Sequence, residues 1–324
     1  MSSLVSLVTA AITLISTFLV SIFGYGVDIA DTTKAYRERV AGLTFYENTI
    51  ETALPQTIVY DMVSEHFDSP LPDGKTEKKA IIIGFDGGRA DALDAFSVEN
   101  GGSKMLLESG GKAYIAYAGG ANFPLPIIQA TSTAPGWCSI LTGKWGLETG
   151  IINNGITKAV EPKTLLTTLV EDGKADQTMF QVSWGGHFTS DNSTYKLEKA
   201  YCEENSLNVV FGKNPDDPGT HASMLAAVTE PDCPDFIMGI YEHMDAAGHG
   251  TGYTVNNPDY QQAYIDSETC AGELIAAIES RPTYEQEDWL IVITSDHGGK
   301  WSGHGTLYIQ ERMIFIVTNK EITQ

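Results

Sequence analysis

Lys78-Lys79-Ala80-Ile81-Ile82-Ile83-Gly84-Phe85, followed at once by Asp86-Gly87-Gly88-Arg89, is the stretch on which the fold turns. Its apolar part is short, continuous and rich in β-branched residues. That composition suits a strand buried on both faces of a parallel sheet. Runs of the same kind return at 178–184, 236–241, 289–294 and 313–317. Helical stretches lie between them, at 162–172, 221–228 and 260–280. Strands alternating with helices predict an α/β fold, a doubly wound and mostly parallel sheet with helices on both faces.

Working outward toward the N-terminus, residues 32–66 read as amphipathic and helical, up to a break at Ser69-Pro70-Leu71-Pro72-Asp73-Gly74. Ahead of them, residues 4–23 hold only Ser and Thr as polar members, and residues 1–27 carry no charge. That run is long enough to cross a hydrocarbon core as a helix. It reads as a signal anchor, a cleaved signal or an apolar helix packed on the domain or a partner. No Lys or Arg precedes it and no clean A-x-A site follows, which weighs against cleavage. Lys34, Arg37 and Arg39 behind it favour a cytoplasmic C-terminal side, whereas the catalytic domain is expected outside the cytoplasm. The expected organisation is a hydrophobic signal or anchor segment at 1–30, a helical stalk or linker at 31–75 and a catalytic domain at 76–324. The protein is thus expected to be exported or membrane-anchored, with membrane association through residues 4–23. The sequence does not give an oligomeric state.

The 324 residues carry 42 acidic against 20 basic side chains, a formal charge of −22. Such a surface repels a phosphate backbone and excludes polymeric nucleic acid as a partner. The four cysteines, Cys138, Cys202, Cys233 and Cys270, form no C-x-x-C pair and read as separate buried thiols.

In open parallel sheets, ligands bind outside the carboxyl ends of the strands. After the first run stands Asp86. After 236–241 come Asp245 and His249, and after 289–294 come Asp296, His297 and, in a glycine-rich loop, His304. Each has a bland reading: a strand-end Asp as a helix cap, Asp245 and His249 as a helix-face pair, Asp296-His297 as a turn. Together they converge on one rim, and a carboxylate and imidazole set suits Zn²⁺ or Mn²⁺. His187 and Trp137 are expected to line a substrate pocket, with core packing as the alternative. Thr133, in Ser132-Thr133-Ala134-Pro135-Gly136-Trp137, opens a helical run with Pro in its first turn. It is either a simple cap or a nucleophile whose alkoxide is stabilised by a metal and the helix's positive end.

These residues resemble the alkaline phosphatase superfamily, and within it the type I phosphodiesterase/nucleotide pyrophosphatase branch. The resemblance rests on Ile83-Gly84-Phe85-Asp86-Gly87-Gly88-Arg89-Ala90-Asp91, Thr133-Ala134-Pro135 with Leu141-Thr142-Gly143, Gly150-Ile151-Ile152-Asn153-Asn154, Asp245-x-x-Gly248-His249, Ser295-Asp296-His297-Gly298-Gly299 and His304, over roughly residues 79–318. It implies two divalent ions, Zn²⁺ first and Mn²⁺ second. Asp86, Thr133, Asp296 and His297 would hold one, and Asp245, His249 and His304 the other. It also implies that Asn154 holds a non-bridging phosphate oxygen, and that Thr133 attacks phosphorus to form a phospho-threonine that water then hydrolyses. The expected activity is hydrolysis of phosphodiester or pyrophosphate bonds in small, nucleotide-type molecules. Alternatives are a phosphomonoesterase or phosphonate hydrolase of the same fold, or a non-catalytic membrane-tethered binding protein. Thr133 lacks the oxidisable Cys or Ser of a sulfatase. Pro135 replaces the Arg by which the superfamily's monoesterases grip a dianion, which favours a diester.

Overall fold

A computed structural model describes residues 30–322 of the chain. The described chain runs α1 (Thr33–Gly42), β1 (Leu54–Pro55), α2 (Ile58–Asp68), β2 (Glu77–Phe85), α3 (Gly102–Glu108), β3 (Lys112–Tyr117), α4 (Thr133–Thr142), α5 (Gly146–Thr149), α6 (Leu165–Glu171), β4 (Thr178–Val182), α7 (Lys196–Glu204), β5 (Val209–Lys213), α8 (Asp217–Thr229), β6 (Phe236–Tyr241), α9 (His243–Thr251), α10 (Pro258–Glu279), a 3₁₀ turn, β7 (Glu287–Thr294), α11 (Ile309–Arg312) and β8 (Met313–Thr318). The strands form one sheet in the order β1-β3-β8-β7-β2-β6-β4-β5. β8 runs antiparallel to both of its neighbours, and every other pairing is parallel.

The run that decided the fold occupies the centre of this sheet. β2 pairs with β7 on one side and β6 on the other, and Ala80 to Phe85 are fully or almost fully buried. Its side chains alternate between two cores, as the period of a strand requires. Ile81, Ile83 and Phe85 pack with the apolar faces of α8 and α10, among them Met224, Leu274 and Ile278. Ala80 and Ile82 pack with Val59 and Val63 of α2, Trp137 and Ile140 of α4 and Leu166 of α6. With helices on both faces, every central strand is apolar on both sides, which is why the runs show no polar alternation. The edge strands β1 and β5, and β3 beside β1, carry no long apolar run, and only the structure reveals them.

The segment 31–75, expected as a stalk, lies on the domain. Tyr36 and Val40 of α1 are buried in a small cluster with Ala90, Ile309 and Met313. β1 extends the sheet beside β3, and α2 covers one of its faces. An amphipathic helix carries the same pattern whether its apolar stripe meets its own domain or a neighbour, so the sequence pattern alone did not locate this segment. The expected membrane segment at residues 4–23 lies outside the described residues. Among the described residues no helix is long and apolar enough to cross a membrane. All four cysteines are free thiols.

Candidate metal centre

Three neighbouring strands, β7, β2 and β6, deliver the Asp and His residues to one rim of the sheet. Asp86 follows the last residue of β2, and Asp296 and His297 follow β7. Asp245 and His249 stand one turn apart on α9, directly after β6, so they face the same way. His304 comes from the loop that leads to α11.

Glycines permit the close approach of these segments. Gly87 has φ +74°, and a Cβ there would lie 2.9 Å from the Asp245 Cα. Gly136, in the first turn of α4, would drive a Cβ to 2.7 Å from the Asp296 Cβ. The loops after β2 and β7 are therefore pressed against α9 and α4, and larger residues would separate them.

Asp86, Asp296 and His297 have no solvent exposure. His297 Nε2 lies 3.4 Å from Asp86 Oδ1 and 3.3 Å from Asp296 Oδ2, and all three atoms are buried with no hydrogen-bond partner. His249 Nε2 lies 3.5 Å from Asp245 Oδ2, and His304 Nε2 lies 3.6 Å from Asp245 Oδ1. Two groups of donor atoms result: Asp245 with His249 and His304, and Asp86 with Asp245 and His297. Asp245 belongs to both. The His249 side chain is 47% exposed, so the rim opens to solvent on its side.

The three imidazoles are oriented alike. Nδ1 of His297 lies 2.7 Å from the Gly298 carbonyl, that of His249 3.0 Å from Ser302 O, and that of His304 3.0 Å from Thr131 O. A carbonyl only accepts, so each Nδ1 carries the proton and each Nε2 presents a lone pair to the rim. Two such lone pairs, on His249 and His304, face each other at 3.1 Å. Neither can donate to the other, and a cation between or beside them resolves the conflict. This is the arrangement by which proteins prepare histidine for metal.

The electrostatics agree. Burial, and then the charges of Asp296, Glu242 and Asp245, push the Asp86 carboxyl well above the usual carboxylate range. Burial and then Asp245 do the same to Asp296. Burial and then His304 hold His297 well below the ordinary imidazole value. Among the described residues no Lys or Arg bonds to Asp86, Asp245 or Asp296. The donor set is hard-to-borderline, negatively charged and unpaired, and it fits divalent cations.

Thr133 is the first residue of α4 and is 5% exposed. Trp137, one turn further along the same face, donates from Nε1 to Asp86 Oδ2 at 2.9 Å. Gly136 abuts Asp296, so the first turn of α4 touches both carboxylates. Asn154 Oδ1 accepts the Ala134 amide at 2.8 Å. That bond ties Asn154 to the same turn and turns its Nδ2 into the free donor, which distinguishes it from Asn153.

Two residues expected at a substrate pocket, with core packing as the alternative, lie in the core. Trp137 is fully buried against Gly84, where a Cβ would lie 2.5 Å from its ring. Its indole N–H orients Asp86. His187 is also fully buried, enclosed by the rings of Phe180, Trp184 and Tyr195, and burial lowers it to about 3. It is a neutral core residue.

Several residues of the site escaped the sequence reading. Tyr253 donates to Asp245 Oδ1. Gln56 Nε2 donates to Gly136 O at 3.0 Å and to Asp296 O at 3.3 Å, joining the first turn of α4 to the loop after β7. Glu242 adds a fourth carboxyl, raised well above its usual range by burial and then by Asp245. Its place directly after an apolar run is the same signal that marked Asp86.

Comparison with known proteins bears on the whole arrangement. The family described as type I phosphodiesterase / nucleotide pyrophosphatase matches residues 80–308. No curated protein matches the sequence. Among solved structures, a putative sulfatase from Bacteroides thetaiotaomicron superposes with a TM-score of 0.53 at 13% identity, over 75% of this chain and 64% of that one. The murine ectonucleotide pyrophosphatase / phosphodiesterase 5 gives 0.45 at 16% identity, over 69% and 58%. The phosphonate monoester hydrolase of Agrobacterium radiobacter gives 0.48 at 12% identity, over 75% and 68%. The chain spans less than two thirds of the length of the first two.

Proposed function

Because the chain belongs to the type I phosphodiesterase/nucleotide pyrophosphatase family, we propose that it is a metal-dependent hydrolase of phosphodiester or pyrophosphate bonds in small, nucleotide-type molecules, acting through a phospho-threonine on Thr133. The observation that supports it most is the set of inward-facing Nε2 lone pairs and buried, unpartnered carboxylate oxygens at the mouth of α4. Asp86, Asp296, His297 and Thr133 would hold one divalent ion, and Asp245, His249 and His304 the other, with Asp245 within reach of both. Bound there, Zn²⁺ or Mn²⁺ would supply the Lewis acidity that favours the Thr133 alkoxide and the leaving oxygen.

The chain's own groups account for the rest. Thr133 sits at the positive end of α4, where a developing anion is favoured. Its oxygen attacks phosphorus, the leaving alkoxide departs, and water then attacks the phospho-threonine to restore the hydroxyl. Asn154 holds a non-bridging oxygen through Nδ2 while its Oδ1 stays on the helix. Pro135 stands where a monoesterase would place an Arg, so the site lacks a grip on a dianion and favours a diester. The formal net charge of −22 disfavours polymeric nucleic acid as substrate. We further propose that the chain is exported or membrane-anchored, with its catalytic domain outside the cytoplasm.

The test is a pair of rates, on bis-(p-nitrophenyl) phosphate and on p-nitrophenyl phosphate, with added Zn²⁺ or Mn²⁺. The diester should be turned over faster. A faster monoester would replace this reading with a phosphomonoesterase, and turnover that survives EDTA would remove the metal from it.

A further inference from the structure

Asp216 and Asp217 are adjacent carboxylates at the start of α8, and they serve different helices. Asp216 is the cap of α8 itself, its Oδ1 accepting the Gly219 amide at 2.9 Å. Asp217 makes no such bond to its own helix. It is 7% exposed, and both of its oxygens reach across to the start of α9, accepting the Glu242 amide at 3.0 and 2.9 Å. His243 Nδ1 lies 3.1 Å from the same carboxylate, and Ser183, just past β4, donates to it at 3.0 Å.

α9 needs this support. The side chain of its cap residue, Glu242, makes no capping hydrogen bond, and the Glu242 amide, one of the orphan donors at a helix start, is taken up by Asp217 alone. α9 also begins directly after β6, without a loop to absorb error. Asp245 lies one turn after Glu242, and His249 one turn beyond that. Any tilt or fraying of this first turn would move Asp245, the carboxylate within reach of both donor groups.

We propose that Asp217 is a positioning residue for the metal centre, a cap supplied in trans that holds α9 so that Asp245 and His249 present their donor atoms together. This rests on the metal-centre reading above, and it assigns a function to a residue outside that site. Asp217 touches neither ligand and acts through the backbone of the turn that carries them, a support comparable in kind to the groups that hydrogen-bond a ligand directly and set its metal affinity.

The experiment is competition for Zn²⁺ between the protein and a chromogenic chelator, alongside thermal melts of the metal-free forms. The full chain is compared with Asp217→Ala, Asp217→Asn and Asp216→Ala. Asp216→Ala is the structural control, since it removes a helix cap without touching α9. Asp217→Ala should weaken Zn²⁺ binding by about 10- to 100-fold, and Asp216→Ala should leave it unchanged even if its melting temperature falls as far. Asp217→Asn keeps the shape and one acceptor oxygen, so its loss should be smaller. It carries the test if the Ala variant fails to fold. Zn²⁺ affinity in the Asp217 variants no weaker than in Asp216→Ala would overturn the inference. A wild-type chain that binds no Zn²⁺ would instead remove the metal-centre reading, and this inference with it.

Discussion

Asp86 and Arg89 leave the same strand three residues apart, and both are fully buried, yet their surroundings are opposite. Arg89 is answered on every side. Asp31 receives its guanidinium at 2.9 and 3.0 Å, and Asp91 receives it at 2.8 Å twice. Arg39 also reaches Asp91 at 2.8 Å. Burial alone would raise Asp31, but the bonds to Arg89 and Arg39 hold its carboxyl below the usual range. Two arginines thus balance two aspartates. Around Asp86 three aspartates meet no Lys or Arg among the described residues, and the unpartnered oxygens of Asp86 and Asp296 face an imidazole lone pair. A buried charge cluster that closes on itself is architecture. One that stays open by several charges is waiting for ions from outside.

The contrast is sharpest at Thr133, the buried first residue of α4 beside the open cluster. Thr133→Ala should reduce diester turnover by at least about 10³-fold while the metal-free protein melts as the wild type does and the ion held by Asp245, His249 and His304 still binds. Turnover that survives would remove Thr133 as the nucleophile.

In the closed cluster the consequence should fall on stability. Asp91→Ala leaves Arg89 buried with one partner fewer, and denaturant unfolding should show a loss of about 3–5 kcal/mol with Zn²⁺ affinity retained. Asp86→Asn should do the reverse, weakening the Zn²⁺ site it shares with Asp296 and His297 and leaving the metal-free protein as stable as before or more so. If both variants lose stability equally, the distinction between the clusters fails.

Each Zn²⁺ bound should raise the unfolding free energy by about 3 kcal/mol at a hundredfold excess over its dissociation constant, and Asp86→Asn should lack one such increment. Calorimetry with and without EDTA measures it.

A smaller effect comes from a third buried group, closed but uncharged. Glu268 accepts Ser103 N at 2.8 Å and Ser103 Oγ at 2.6 Å, and burial raises its carboxyl to about 7. The folded state therefore holds this proton after the unfolded chain has lost it. Its stabilising effect is complete at low pH and is lost as pH rises through about 7. Between pH 5 and pH 8 the wild type should lose about 2 kcal/mol relative to Glu268→Gln. Parallel stability profiles of the two would refute this.

The same contrast explains what was legible in the sequence. Asp86, Asp245, His249, Asp296 and His297 stand directly after apolar runs, where strand, rim and chemistry follow one another along the chain. Arg89 lies in the same stretch, but its partner Asp31 is 58 positions away, and nothing local joins them. Gln56 and Asp296 are 240 positions apart. Asp217 looks like half of an ordinary acidic cap. The burial of Trp137 and His187 was not legible because an aromatic residue beside a site carries no mark of which way it faces. Strands β1, β3 and β5 and the packed position of 31–75 depend on neighbours that only the folded sheet provides.

The bond between Asp31 and Arg89 also fixes where the protein can be shortened. Asp31 lies only eight residues beyond the apolar run that ends at Phe23, so a truncation meant to remove that run has little margin. A fragment beginning at Ala30 keeps the closed cluster whole. One beginning at Thr33 strips Arg89 and Arg39 of a shared carboxylate while leaving every catalytic residue in place. The shorter fragment should then look inactive for want of folding, and would misreport the chemistry of a site it still contains.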